Sequence, residues 1–357
     1  MRPDITYAEA VLEALDFCLG QDKNVFVVGE GVPDPKKIFN TTAGLLEKYG
    51  PQRIMDMPLS ENALTGVCIG SGLIGMRPVM VHQRTDFAYL ALDQIINNAA
   101  KWHYMFNGQG QVPIVIRMMI GRGWGQGPQH SSSPQALFSH IPGLKVVMPA
   151  RPHDAKGMLI QAIEDNGPVI FLEHRWLHHM KEPVPEEPFR EPLGKARVVR
   201  SGDSLTLAAF SYSVIEATKI ADAFKKYGVE IEVIDMRSSS PMDHQTVVAS
   251  VRKTSRLLVL DTSWITCGVA AELVARVSEN AFKELKAPPA RVALPDLHTP
   301  TSPTLSQEYY PTPQRIGEKI LNILSIKTSS DKGRQILNEL KTDGPLDVPF
   351  LDFKGPF

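Results

Sequence analysis

The sequence predicts an α/β protein of two doubly wound domains, the second smaller than the first. Continuous apolar runs such as VPIVIRMMIG and PVIFLEH read as strands covered on both faces of a parallel sheet. Segments with helical spacing alternate with them, the pattern of strand-helix-strand units. A proline- and charge-rich stretch, MKEPVPEEPFREPL, separates one such series from the next. These observations set a first domain at 1–190, a second at 191–326 and a tail at 327–357.

Thr6 is a helix cap with Glu9 three residues on, and TYAEAVLEALDFCLGQD carries apolar residues at helical spacing until Gly20 stops it. NVFVVGEGV follows as a buried strand that ends in a glycine turn. The next stretch, RIMDMPLSENALTGVCIGSGLIGMRPVMVHQRTDFAYLALDQ, gives a small-residue helix from Ala63 to Gly75, a strand from Pro78 to Val81 and then an aromatic, Phe87. LDQIINNAAKWHYMFNGQ reads as a helix, and the strand VPIVIRMMIG runs directly into the glycine-rich loop GRGWGQGPQHSSSPQ. HSSSPQALFSHIPG reads as a capped helix, KVVMPA as a strand, HDAKGMLIQAIEDNG as a helix and PVIFLEH as a strand. A second series, from SLTLAAF to ARVAL, repeats the alternation. The tail shows one short helix and an extended end with Pro345, Pro349 and Pro356, read as lying along a neighbouring surface.

Composition excludes several classes. With 43% hydrophobic and 22% charged residues and a net charge of -1, nothing points to a nucleic acid or an anionic membrane as partner. No apolar run reaches membrane-spanning length, and the N-terminus lacks the basic-then-apolar order of a leader, so a cytoplasmic location is expected. Cys18, Cys68 and Cys267 are far apart in apolar segments and read as buried free thiols.

Glu61 heads the small-residue helix. It reads either as a first-turn acid complementing the helix dipole or as a buried functional carboxylate. Gly66, Gly70, Gly72 and Gly75 favour the second reading: each costs about 1 kcal/mol in a helix interior, which implies close packing and a buried helix. His130 lies in a loop after a buried strand, where sites on this type of fold collect. The GRGWGQG segment lacks a P-loop ending and a dinucleotide spacing, and reads as a hinge or site-lining loop. His174, His178 and His179 in EHRWLHHM lack a clear carboxylate partner at coordination spacing and read as solvated linker residues.

The ordered segments LSENALTGVCIGSGLIGMRPV, LDQIINNAAKWHYM, GPQHSSSPQALFSHIPGLKVVMPARPHDAKGML, IDMRSSSPMD and PDLHTPTSP resemble the β subunit of the thiamine-diphosphate-dependent decarboxylase component of 2-oxo acid dehydrogenase complexes. The resemblance runs from Tyr7 to about Ile316. It implies a transketolase-like pyrimidine-binding domain followed by a smaller transketolase C-terminal-like domain. It further implies that Glu61 hydrogen-bonds the aminopyrimidine ring of thiamine diphosphate, favouring the imino tautomer whose exocyclic nitrogen takes the thiazolium proton. Phe87 matches the aromatic packed on that ring, and Leu59 and Gln83 match neighbours in the pocket. His130 matches the histidine that helps bind the 2-oxo acid and pass on the acyl group. A potassium site of backbone carbonyls near Ile114, Ala162, Ile163, Asp165 and Gly167 is carried over in the same way.

The diphosphate-and-magnesium motif of thiamine enzymes, Gly-Asp-Gly with a later asparagine, is missing, since the only Gly-Asp pair is Gly202-Asp203 followed by Ser204. The resemblance therefore implies an α subunit that holds Mg²⁺ and the diphosphate, in an α2β2 heterotetramer, with a lipoyl-bearing acyltransferase as acceptor. Two departures leave the substrate open among pyruvate, a branched-chain 2-oxo acid and a ketose. Arg84 stands where the family has an uncharged residue, reading either as an anion-binding cation or as an ion-pair partner of Asp86 or another acid. Asp261-Thr262 stands where a His-Glu pair is common. The alternatives in function are a split transketolase or carboligase, and a catalytically silent scaffold subunit.

Overall fold

The computed structural model describes residues 3–35, 38–122 and 125–342. Within them the chain divides into two compact units, one of Met1–Ile120, Leu137–Gly194 and Ser238–Pro241, the other of Gly121–Ala136, Lys195–Arg237 and Met242–Phe357. The extended tail with Pro345, Pro349 and Pro356 lies outside the described residues, as do Gly123 and Trp124 of the glycine-rich loop.

In the first unit, α1 (Tyr7–Gln21) starts from a reciprocal cap. Glu9 N donates to Thr6 Oγ1 at 3.1 Å and Thr6 N donates to Glu9 Oε2 at 2.7 Å, satisfying two amides that the first turn leaves without helical partners. Next come β1 (Val25–Val28), β2 (Ile54–Met55), α2 (Glu61–Leu73), β3 (Arg77–His82), β4 (Val115–Ile120), β5 (Lys145–Val147), α3 (Pro152–Glu164) and β6 (Val169–His174). The sheet has seven strands in the order Ser238–Ser240, β5, β6, β4, β3, β1, β2. Only the Ser238–Ser240 edge is antiparallel. Every residue of β1, β4 and β6 is buried, as the continuous apolar runs require. Each large aliphatic side chain so covered contributes roughly 1.5–3 kcal/mol.

The second unit repeats the plan with β7 (Arg197–Arg200), β8 (Leu205–Ala209), α4 (Ser213–Lys225), β9 (Ile231–Asp235), α5 (His244–Thr254), β10 (Leu257–Trp264), α6 (Val269–Ala281) and β11 (Ala290–Leu294). Its sheet has five strands in the order β11, β10, β8, β9, β7, antiparallel only at β7. No helix among the described residues is long and apolar enough to cross a membrane.

Several local expectations change. The stretch read as one helix from Leu92 is broken into a π-helix at Gln94–Ala99 and a short α-helix at Trp102–Met105. The amides of Asn97, bonded to Asp93, and Asn98, bonded to Gln94, lie along the wider turn. The helix expected over HSSSPQALFSHIPG is confined to Gln135–Ser139. α2 is half exposed: Val67 is 63% exposed, and a Cβ on Gly70 would meet nothing within 4 Å. The linker histidines are not solvated as a group, because β6 and the turn after it carry the chain through the core and bury His174 and His178, while His179 is exposed. Cys18 and Cys68 are buried as expected, but Cys267 is exposed.

Candidate active site

The carboxyl ends of β1, β2 and β3 and the start of α2 converge in the first unit. After β1 the chain turns through Gly29, Glu30 and Gly31. A Cβ on Gly29 would lie 2.3 Å from the Val81 carbonyl oxygen, so only glycine lets β1 and β3 approach there. Gly31 has φ +72° and donates its N–H to Asp56 Oδ1 at 3.0 Å, tying this turn to the end of β2. Gln83 Nε2, just past β3, donates to the Glu30 carbonyl at 2.9 Å.

Glu61 is the first residue of α2 and is buried, at 7% exposure. Its carbonyl accepts a hydrogen bond from Thr65 Oγ1 at 2.7 Å, and the Ser60 side chain does not cap the helix. Burial pushes the Glu30 carboxyl above the usual range, and the negative charges of Glu61 and Asp56 push it further. Glu30 Oε1 is buried without a hydrogen-bond partner among the described residues. The half-buried Glu30 thus lies in the field of two other carboxylates, the buried Glu61 and the exposed Asp56, an arrangement that favours its protonated form.

Of the residues expected around Glu61, Gln83 bonds the backbone carbonyl of Glu30, whose carboxyl feels the charge of Glu61. Phe87 is half-buried in the short helix Thr85–Ala88 that follows β3. Leu59 is 84% exposed. His130 is carried by the second unit, on the 121–136 segment, and is half-buried. That segment is pinned to the end of β10: Gln135 Nε2 donates to Asp261 Oδ1 at 2.5 Å, and the hydroxyls of Ser133 and Thr262 are 2.8 Å apart. Asp261 also accepts the N–H groups of Ser263 and Ala270, each at 3.2 Å. Burial raises its carboxyl pKa against these hydrogen bonds. The two residues that depart from the family pattern at this strand end therefore hold the His130 loop. Gly125 and Gly127 have positive φ, and a Cβ on either would fall within 3 Å of Thr301.

The carbonyls expected to bind potassium have other partners. Arg77 Nη1 donates to the carbonyls of Ile163 and Asp165 at 3.0 and 2.9 Å, and the Ile114 carbonyl accepts from Val169 N at 2.9 Å. A potassium ion there would share its ligands with a fixed guanidinium.

Sequence reasoning missed Glu30 and Asp56, although a strand end reading Gly-Glu-Gly was a usable signal. It also missed a buried ionic cluster. Glu173 is gripped by Arg117 through Nε and Nη2 at 2.7 and 3.0 Å, and His178 Nε2 sits 3.2 Å from it. Burial alone would raise Glu173, but Arg117 and His178 outweigh it and hold the carboxyl low. Burial brings His178 down to about 4. Glu173 supplies the carboxylate partner that EHRWLHHM was expected to lack.

Residues 3–179 match the transketolase pyrimidine-binding domain and residues 194–316 the transketolase C-terminal domain. The chain is 38% identical over 332 residues to acetoin:2,6-dichlorophenolindophenol oxidoreductase subunit beta of Bacillus subtilis, covering 90% of this chain and 97% of the relative. It is 40% identical over 312 residues to the mitochondrial pyruvate dehydrogenase E1 component subunit beta-2 of Oryza sativa, covering 86% and 83%. Among solved structures, an inactive β4 tetramer of a split-gene transketolase aligns with a TM-score of 0.71 at 23% identity over 90% of this chain and 99% of that one, a likeness of fold. With both domains matched in order and relatives this similar over nearly their full length, the chain belongs to the family of β subunits of thiamine-diphosphate-dependent 2-oxo acid and acetoin dehydrogenases.

Proposed function

We propose that this chain supplies the aminopyrimidine-binding half of a thiamine diphosphate site completed by an α subunit in an α2β2 heterotetramer, and that the assembled enzyme decarboxylates a 2-oxo acid and passes the acyl group to a lipoyl-bearing acyltransferase. The observation that carries the reading is the buried Glu61 at the head of α2, whose charge acts on Glu30 at the end of β1. Thiamine diphosphate, when bound, supplies a nucleophilic carbon that can hold the electrons released by decarboxylation. Glu61 would hydrogen-bond the ring nitrogen, and Glu30 Oε1, without a hydrogen-bond partner among the described residues, fits a site for a polar group. Gln83, Phe87 and Leu59 would line the pocket around the ring. His130 orients the substrate and stabilises charge on the acyl group, on a loop fixed by Asp261 and Thr262.

An α subunit also suits the outer surface of α2. Leu59, Val67 and Ile74 are 84%, 63% and 82% exposed, an apolar strip that water alone covers poorly. Mg²⁺ is assigned to the α subunit. The test is turnover by the assembled complex of pyruvate, a branched-chain 2-oxo acid and acetoin, with a lipoyl domain as acceptor. Acylation of that domain supports the reading, and ketol transfer to an aldehyde without it would assign the chain to a split transketolase.

A further inference from the structure

The start of α3 and the segment that crosses back over it gather three metal-ligating side chains within the first unit. His153 and Asp154 are the second and third residues of α3, and Glu191 joins them where the chain returns. The approach is close. Glu191 N donates to the Gly157 carbonyl at 3.2 Å, and a Cβ on Gly157 would stand 2.6 Å from the Phe189 ring and 2.8 Å from Glu191 Cγ, so a side chain there would displace both. Phe189 packs against the imidazole of His153 with ring centroids 4.4 Å apart, and His153 N donates to Glu182 Oε1 at 2.8 Å. The imidazole is therefore held from two sides.

His153 Nδ1 lies 3.6 Å from Asp154 Oδ1 and 3.7 Å from Glu191 Oε1, and the three ligand atoms are all within 4.8 Å of one another. Nδ1 is buried without a hydrogen-bond partner among the described residues, although two carboxylates flank it. An imidazolium hydrogen-bonded to either acid would close to about 2.7–2.9 Å. Atoms that share one ion at bond lengths of about 2.0–2.2 Å stand instead roughly 3–4 Å apart. The two measured separations are of the second kind. Asp154 is fully buried, and the arrangement asks each carboxylate for one oxygen only, leaving the other to its neighbours. The nearest cationic side chains are engaged elsewhere: Arg151 Nε bonds Glu182 and Lys156 Nζ bonds Glu13, each at 2.7 Å. One imidazole with two carboxylates suits a borderline cation such as Zn²⁺ better than Mg²⁺ or Ca²⁺, which favour oxygen ligands throughout. We propose that His153, Asp154 and Glu191 bind one divalent cation of the zinc class, with water completing its coordination, as a structural clip that holds the 189–191 segment on α3. The site shares no residue with the cluster at Glu61 and does not rest on the proposed function.

The experiment strips the full chain with EDTA and titrates it calorimetrically with Zn²⁺ alone, without thiamine diphosphate, in a Cys267→Ser background so that the exposed thiol does not compete. One Zn²⁺ binds per chain and raises the melting temperature. His153→Leu and Glu191→Gln each weaken binding at least about tenfold and abolish that rise. Asp154 is left intact, because substitution of so buried a group would test folding instead. Should either variant fail to fold, Co²⁺ in the wild-type chain decides. Intense visible d–d bands that Zn²⁺ bleaches support the site, and the weak spectrum of hydrated Co²⁺ overturns it. Absence of Zn²⁺ binding, or equal affinity in the wild type and both variants, would also overturn the proposal and leave the three side chains as a loose ion pair.

Discussion

The first unit gathers charge at two places, in opposite ways. Around Glu173, every charge has a counterpart: Arg117 grips the carboxylate through two nitrogens and His178 approaches it from the next turn. Beside Glu61, the half-buried Glu30 feels the charges of both Glu61 and the exposed Asp56, and its Oε1 has no hydrogen-bond partner among the described residues. The first cluster pairs opposite charges across two strands, although Arg117 Nη1 and His178 Nδ1 have no hydrogen-bond partner among the described residues; the second sets like charges beside one another. Like charges gathered at a strand end point to function more than an ion pair does.

The largest effect should come from the like-charged cluster. Glu61→Ala is expected to lower turnover of the assembled enzyme by about 10²–10⁴, the usual worth of a positioned acid-base group, with little loss of melting temperature. Collapse of the fold in that variant would move Glu61 into the structural class. The paired cluster should respond in reverse: Glu173→Gln leaves Arg117 uncompensated and should cost roughly 3–5 kcal/mol in denaturant unfolding, against near-neutrality if the pair were idle.

Acidity offers a second cut between the regions. His82 and His178 are both lowered by burial from 6.5 to about 4. Between those values the unfolded chain binds protons that the folded chain refuses, so stability falls as pH drops from 6.5 towards 4. Glu173, held low, keeps its contribution above its unfolded value and loses it only as pH falls through the folded one. His82→Leu should flatten the upper part of the curve in a series of thermal melts, and an unchanged slope would show that His82 titrates normally.

Smaller effects refine the picture. Gly31→Ala should cost about 1–2 kcal/mol for its left-handed φ. A Cβ there would also stand 2.6 Å from Gln83 Nε2, so cofactor affinity should fall along with the melting temperature. The thiols give the mildest test. Burial pushes Cys18 and Cys68 up to about 12, whereas Cys267 is exposed, so alkylation of the native protein should stop at one label per chain on Cys267.

The fold was legible because continuous apolar strands and alternating helices are local signals that do not depend on pairing. The burial of Glu61 at the head of its helix was legible too, but the glycines did not signal a buried helix: Val67 is 63% exposed and a Cβ on Gly70 would meet nothing within 4 Å. Arg117 and Glu173 were not, because each sits inside an apolar run and only the register of β4 against β6 brings them together. His178 was misread for the opposite reason: proline and charge downstream suggested solvent, while the chain was still inside the core. Glu30 and Asp56 look like ordinary turn acids until the sheet order sets their strands side by side. The helix after Phe87 broke where the sequence shows helical spacing, because hydrogen-bond choice within a turn leaves no trace in the apolar pattern.

The central claim is that the carboxylate cluster is half of a cofactor site. The direct measurement is calorimetric titration of thiamine diphosphate with Mg²⁺ into this chain alone, into its complex with the α subunit, and into the same complex carrying Glu61→Ala. The account predicts binding in the wild-type complex only, lost or severely weakened in the variant. Tight binding by the chain alone, or full affinity in the Glu61→Ala complex, would contradict it.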